Sequence, residues 1–510
     1  MANTNHVRMI KRGVNHWNQW RKQNPRVKPD LSGIDLSEQD LQDINLINAN
    51  LSRANLSLAN LSGAFLAGSD LSNAFLSEAN LSRVNFSRAD LTKADLSFAR
   101  LQGATLIEAN LYQAILIEAC MVQVIFPYAD LRQVNLSKAD LSEANGIKAN
   151  LTQAKLDSTQ LQQSNLSRAF MSEASLKGAN LKGANLSKTD LSFSNLSSAL
   201  LRDANLGKSI AIEANFRGAD LRNTNFKNGQ CVKANFSRVD GCEVDLSSAN
   251  LTGVDLSDAD LQQAVLKEAN LRDVNFTRCR LFGTNFAAAT LTGACIEDIS
   301  PNATTTLVDV VCDYAYQRNN QQERIPKQGY FEPGDVKTFF AEAQATLNLG
   351  LPKDVHWAAL TYSLQWLQTQ PDCQPVKIQR LEHNPDGTVL LRLAIATSVD
   401  KERLQLDLWR VYEETYMMLE PEDGQPLAKP LPSIDPQQYG HHESINRLFD
   451  FLTLMMEAIT PNGAVINNHD LAVSCNGTNI HDGQTFPELA VTNSLLQGEM
   501  ADTLQQPHTL

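Results

Sequence analysis

The chain has 510 residues, 43% of them hydrophobic and 20% charged, with a formal net charge of −13. That length admits two or three domains, and the lack of any run of 18 apolar residues excludes a membrane-spanning helix. The charge is uneven: +6 over residues 1–30, −5 over 31–300 and −14 over 301–510.

In residues 1–30, Val7, Ile10, Val14, Trp17 and Trp20 recur at helical spacing, with Arg8, Lys11, Arg12, Arg21 and Lys22 around them. Pro25 and Pro29 end that helix. The apolar stripe runs straight into Leu31, so the spacing predicts a basic helix laid as a cap on the segment that begins there. The competing reading is a basic amphipathic helix on a membrane surface or a nucleic acid. No signal-peptide core precedes it.

Residues 31–300 are one five-residue unit repeated 54 times in register, from Leu31 to Ile296. Slot i holds Leu in 40 copies and Phe in 7, and slot i−2 holds Ala in 33. Asn or Asp stands between them, and Ser or Thr often follows. A period of five would scatter the leucines around a helix and bury no face. In an extended segment i−2 and i point the same way, so each unit makes one short inward-facing side. Asn, Asp, Ser and Gly suit the corner between sides. Stacked coils then bury a Leu/Ala column that a single coil could not.

This A[DN]LSX pattern resembles the pentapeptide-repeat family over slightly more than half of the chain. The resemblance implies a mainly β fold, a right-handed quadrilateral β-helix with four units per coil. Residues 13–21 (Gly-Val-Asn-His-Trp-Asn-Gln-Trp-Arg) with Asn24-Pro25 are similar to the segment that precedes many cyanobacterial arrays of this kind. The sequence offers a separate sign of four units per coil. All seven inward phenylalanines, Phe86, Phe126, Phe216, Phe226, Phe236, Phe276 and Phe286, have numbers ending in six and so fall on one opposed pair of sides. The slots Phe226, Cys231, Phe236 and Gly241 set two large side chains against two small ones, and Ala211 sits beside Phe216. This is the volume compensation that a close-packed interior demands. Slot i carries no polar side chain, and i−2 only Gln39, Ser and Thr. The bore is expected to be dry and filled, in a rod of roughly 65 Å at about 4.8 Å per layer.

At Asn302-Ala-Thr-Thr-Thr the chain leaves the repeat. Residues 301–333 read as a cap or connector, similar to the segment after the array in large cyanobacterial members. Residues 334–420 read as a small α+β domain. One helix carries Val336, Phe339, Phe340, Ala343 and Leu347, and a second carries Trp357, Leu360, Leu364 and Leu367. A hairpin turns at Asn384-Pro385-Asp386-Gly387, with Val376 and Ile378 before it and Val389, Leu391, Leu393 and Ile395 after it. A third helix after Asp400 carries Leu404, Leu408 and Val411. Residues 421–438, with five prolines, read as a linker. Residues 439–510 read as a helix with Ile445, Leu448, Phe449, Leu452 and Met456, then a weakly ordered tail.

No residue stands out for catalysis, cofactor binding or metal binding. The eight cysteines (Cys120, Cys231, Cys242, Cys279, Cys295, Cys312, Cys373, Cys475) lack metal-site spacing and read as reduced thiols of a cytoplasmic protein. His441-His442-Glu443 places adjacent histidines on different faces of a helix. Asp309 and Asp313 lack a nearby base, and phosphate-binding, dinucleotide and hydrolase motifs are absent. The sequence therefore points to a non-enzymatic scaffold that binds a protein partner, without nucleic acid and without membrane insertion. In this reading a C-terminal domain does the recruiting. The alternative that the resemblance implies is a DNA mimic that binds type II topoisomerase. Duplex DNA of about 65 Å carries roughly 38 charges, against −5 here.

Overall fold

A computed structural model describes residues 2–332, 334–344, 346–351, 355–370, 376–383, 388–395, 401–419 and 466–467. They fall into two units: the first holds residues 2–332, 334–344, 346–348, 356–370, 376–377, 393–395 and 401–419, and the second holds 349–351, 355, 378–383, 388–392 and 466–467.

In the array, residue n at slot i−1 forms a parallel bridge to residue n+20, from Asp30↔Asn50 onward. Twenty residues make four units, so each coil has four sides. The slot-i amide donates one coil ahead, as Leu51 N does to the Asp70 carbonyl at 2.6 Å. The Asn or Asp at i−1 accepts at Oδ1 from the amide two residues on, as Asn50 does from Ser52 at 3.0 Å. Its own amide Nδ2 donates to the equivalent residue one coil back in places, as from Asn60 to Asp40 at 2.9 Å. These bonds satisfy the backbone groups that a sheet edge would leave open. The unusual dihedral falls elsewhere. Every i+2 residue from Gly33 to Asp298 has positive φ. The corner strain thus sits on Glu, Gln, Lys and Arg more often than on Gly, and not on the Asn or Asp residues at i−1.

The N-terminal segment is two helices, not one: α1 (Thr4–Ile10) and α2 (Val14–Gln23), broken at Gly13 with φ 96°. Asn3 caps α1 by accepting from the amides of Asn5 and His6. Trp17 is fully buried, and its Nε1 donates to the Asn45 carbonyl at 2.7 Å. Asn18 receives the Asn45 amide at 2.8 Å and donates to the Asp43 carbonyl. Arg21 is buried too and donates to the carbonyls of Val27 and Ile47. Its charge belongs to the cap rather than to a solvated basic face. The cap thereby supplies the bonds that a preceding coil would have made.

At the other end the ladder continues past residue 300, the boundary drawn from the sequence. Strands β1 (Arg280–Leu281) and β2 (Ser300–Pro301) pair in parallel. The bridges then shift to an offset of 21 residues, at Asn285↔Thr306, Thr290↔Val311 and Cys295↔Tyr316. One inserted residue hides this last coil from a five-residue count. Asn302 absorbs the insertion, its Oδ1 accepting from the Gly283 amide at 2.9 Å where a backbone carbonyl accepts elsewhere. A hairpin of β3 (Ala315–Arg318) and β4 (Gln322–Ile325) follows. Helix α3 (Asp335–Gln344) buries Phe340, whose ring lies 6.1 Å from that of Phe286. The end of the bore is thus covered by α3 and Phe331, while Cys312 belongs to the last coil.

Strand β5 (Thr346–Leu351) follows α3. Leu347 therefore lies on a strand, with Leu347, Leu349 and Leu351 buried in alternation, and not on the helix stripe expected for it. In the first unit α4 (Trp357–Thr369) and α5 (Lys401–Leu419) bury Leu360, Leu364, Leu367, Leu404, Leu408 and Val411. The Tyr412 hydroxyl accepts from the His356 amide at 2.9 Å. Strands β6 (Lys377–His383), β7 (Val389–Ala394) and β8 (Ile466–Asn467) join β5 in a sheet of order β5-β7-β6-β8. The helix expected over Ile445–Met456, the linker 421–438, and Cys373, Cys475, His441 and His442 lie outside the described residues. Among the described residues no helix is long and apolar enough to cross a membrane.

Candidate interaction surface

The bore offers no room for chemistry. Inward side chains from Leu31 to Leu291 are buried, apart from an exposed Gln39 in the first coil. Phe216, Phe226 and Phe236 fill the middle. Phe216 and Phe236 stack at 4.6 Å, and Phe226 meets both edge-on at 5.6 and 5.7 Å. Beside them a Cβ on Gly241 would come within 3.0 Å of Leu261 Cδ2. The inward threonines are satisfied by the coil before. Thr159, Thr189, Thr224 and Thr284 donate to the carbonyls of Leu136, Leu166, Leu201 and Leu261. Burial pushes the Cys231 thiol up to about 12 and raises that of Cys279 as well. A thiol held neutral in this way is a packing group and not a nucleophile. Cys120, Cys231, Cys242, Cys279, Cys295 and Cys312 are all free.

Among the described residues no three His, Cys, Asp or Glu side chains gather closely enough to hold a metal ion. Asp309 sits on a positive-φ corner of the last coil. The Asp313 backbone amide donates to Thr292 Oγ1. The cleft at the C-terminal end of the bore is lined only by apolar side chains, among them Leu291, Ile296, Phe331 and Phe340.

The outside of the array is not uniformly polar. Numbering the sides by their first slots (Leu31, Leu36, Leu41, Leu46) sorts every outward residue into a column that repeats each 20 residues. Four corners carry a large apolar or aromatic side chain, Leu58, Phe98, Tyr128 and Phe193, all with positive φ and all more than half exposed. Such residues are uncommon in this backbone region, and their side chains contribute nothing to the core.

Phe193 lies within a patch. On the first side, Phe170, Asp190 and Ile210 form one bridged column. The Phe193 amide donates to the Ile212 carbonyl, and the Glu213 amide to the Val232 carbonyl. Phe170, Phe193 and Ile210 are 53%, 57% and 41% exposed, with Ile212 and Val232 half-buried beside them. In the corner column Phe193 stands between Glu173 and Glu213, and in the bridged column Asp190 stands between Phe170 and Ile210. Exposed apolar side chains interleaved with carboxylates can offer a protein partner anchors and polar contacts together.

Charge is also sorted by side. Several cations pair with acids of the same or the adjoining coil. Arg278 holds Asp258 at 2.6 Å, and Arg222 reaches Asp220 and, at 3.2 Å, Asp240. The hydrogen bond from Arg222 holds the Asp220 carboxyl below its ordinary range. These groupings were open to sequence reasoning, had the twenty-residue sorting applied to the inward phenylalanines been extended to the outward positions.

Comparison with known proteins identifies the repeat. The family model described as Pentapeptide repeats matches in eight copies, over residues 30–68, 59–97, 89–126, 128–160, 154–192, 190–228, 230–258 and 259–298. No curated protein matches. Among solved structures, a pentapeptide repeat protein from the Arabidopsis thaliana thylakoid lumen is 38% identical, the match covering 19% of this chain and 66% of that one, with a TM-score of 0.19. HetL, involved in heterocyst differentiation regulation in the cyanobacterium Nostoc sp. strain PCC 7120, is 29% identical, covering 59% of this chain and 96% of that one at a TM-score of 0.13. QnrB1, a plasmid-mediated fluoroquinolone resistance protein, is 17% identical, covering 40% and 91% at a TM-score of 0.25.

Proposed function

The chain belongs to the pentapeptide-repeat family, whose members fold as right-handed quadrilateral β-helices, and from that premise we propose that it is a non-enzymatic scaffold recruiting a protein partner. The array is the rigid part, and the region after it serves as a second recruiting element. The observation that carries this reading is the patch of Phe170, Phe193 and Ile210 on the first side. Its side chains are large, outward and of no use to the core. Aromatic anchors within a polar rim dominate the energy of protein interfaces.

A duplex-mimicking role is disfavoured by the distribution of charge. Along residues 145–228 the fourth side carries five cations and no acid, the opposite of a phosphate backbone.

The test is affinity capture with the full chain, comparing the parent with a Phe170→Ser, Phe193→Asn double variant. Both replaced side chains are outward, so the fold is unchanged. A protein that the parent retains is lost from the variant, by tenfold or more if the two rings act as anchors. Equal recovery by both chains would remove the first side as the binding surface.

A further inference from the structure

Two opposite sides of the array carry equal and opposite charge. On the fourth side, over five consecutive coils (145–148, 165–168, 185–188, 205–208 and 225–228), stand Lys148, Arg168, Lys188, Lys208 and Lys227, with no acidic residue. Asparagines occupy the i−1 column of all five coils, so the surface between the cations is neutral. The amides of Lys148, Arg168, Lys188 and Lys208 each bond the next coil at the neighbouring position, which stacks the four as one ridge. Its repeat is the strand-layer spacing of about 4.8 Å. Lys148 rests on Tyr128, its Nζ 5.0 Å from the ring centre. On the bordering corner Glu143 accepts from Gln123, and Asp203 pairs with Arg202.

The second side, two units away and therefore opposite, reverses this pattern. Its first five coils (35–38, 55–58, 75–78, 95–98 and 115–118) hold Asp35, Glu38, Glu78, Asp95 and Glu118 and no cation; Glu118, at the end of the stretch, pairs with Lys138 of the sixth coil at 3.2 Å. Arg53 and Lys93 stand on the bordering corner. Its corner column reads Glu38, Leu58, Glu78, Phe98, Glu118, alternating carboxylate and apolar side chain. Leu58, Phe75, Phe98 and Ile115 are exposed there.

We propose that copies of this chain associate side by side, the basic fourth side of one lying on the acidic and apolar second side of another. The spacing selects a second copy over an unrelated acidic partner. Charges on the two surfaces recur at one common layer spacing, because both belong to the same kind of coil. A ridge of cations laid along the alternating column meets a carboxylate at one layer. At the next it meets an apolar side chain, which the Lys or Arg stem covers; at Phe98 the cation also meets a ring face. The two surfaces differ and point in opposite directions. The contact is therefore heterologous and leaves a free surface of each kind on the outermost copies. Five coils span only about 19 Å, less than a standard interface of ~800 Å² per partner requires. The association is consequently weak and salt-sensitive.

The test is sedimentation velocity of the full chain over increasing concentration, at about 20 mM and about 500 mM salt. The parent chain sediments faster with concentration at low salt and as a single monomer at high salt. Two variants separate self-association from general stickiness. Arg168→Glu with Lys188→Glu cuts the charge of the fourth-side stretch from +5 to +1, and Glu78→Lys with Glu118→Lys cuts that of the second-side stretch from −5 to −1. Each variant alone stays monomeric, and an equimolar mixture of the two associates, because each then supplies what the other lacks. A parent chain that is monomeric at low salt, a variant that self-associates like the parent, or a mixture that stays monomeric would each overturn the proposal. The capture experiment on the first side is independent of all these outcomes.

Discussion

At Gly146 the inward slot is empty because Phe126, one coil earlier on the same side, fills it. A Cβ there would lie 2.2 Å from Phe126 Cε2 and 2.4 Å from Cζ. Compensation around a single coil, as at Phe226, Cys231, Phe236 and Gly241, was readable from residue numbers. Compensation along the axis, between Phe126 and Gly146, emerges from the stacking of coils. Overpacking a filled core costs about 1–3 kcal/mol, so Gly146→Leu is destabilising by at least that much. Adding Phe126→Leu to Gly146→Leu restores the common leucine in both slots and recovers most of the loss. Chemical denaturation of the two single variants and the double variant checks this. Additive losses would mean that the two positions do not share one space. The positive-φ corners were legible only as turns. Their composition is ordinary surface, and nothing in Glu, Gln or Lys marks a left-handed backbone.

At the scale of elements, the two ends of the array show what the sequence conveys and what it hides. The apolar stripe of residues 7–20 announced a cap. The break at Gly13 and the inward turn of Arg21 did not show, because a buried arginine and a solvated one look alike in a string of residues. Trp17 joins the cap to the first coil by its burial and by its bond to Asn45. Trp17→Ala removes about 3–5 kcal/mol of local packing. In a solenoid each coil contacts only its neighbours, so the damage is confined to that end. Hydrogen exchange then shows faster exchange over residues 31–50 and unchanged protection over 131–150. A uniform increase along the array would contradict the cap's local role. The last coil was hidden by one inserted residue near Asn302, which broke the register while leaving the structure continuous. Strand β5 was hidden because Leu347 happens to extend the spacing of the α3 stripe.

Taken as a whole, the molecule keeps its apolar interior for stability and sorts its outer residues by side. The four-sided coil makes that sorting possible, since any outward position recurs in line every twenty residues. Phe170, Phe193 and Ile210 gather on the first side in this way, and the opposed charges gather on the second and fourth. The net charge of the array conceals both groupings, which is why a total of −5 said little about partners. The most direct measurement of outward function is photo-crosslinking in the native cell from single sites of the full chain. One probe replaces Phe193 within the apolar patch. The other replaces Gln113, which occupies the same corner column four coils earlier, three coils from Phe170 and five from Ile210. The account predicts a discrete crosslinked protein from position 193 and none from position 113. No crosslink at 193, or the same products from both positions, would contradict it.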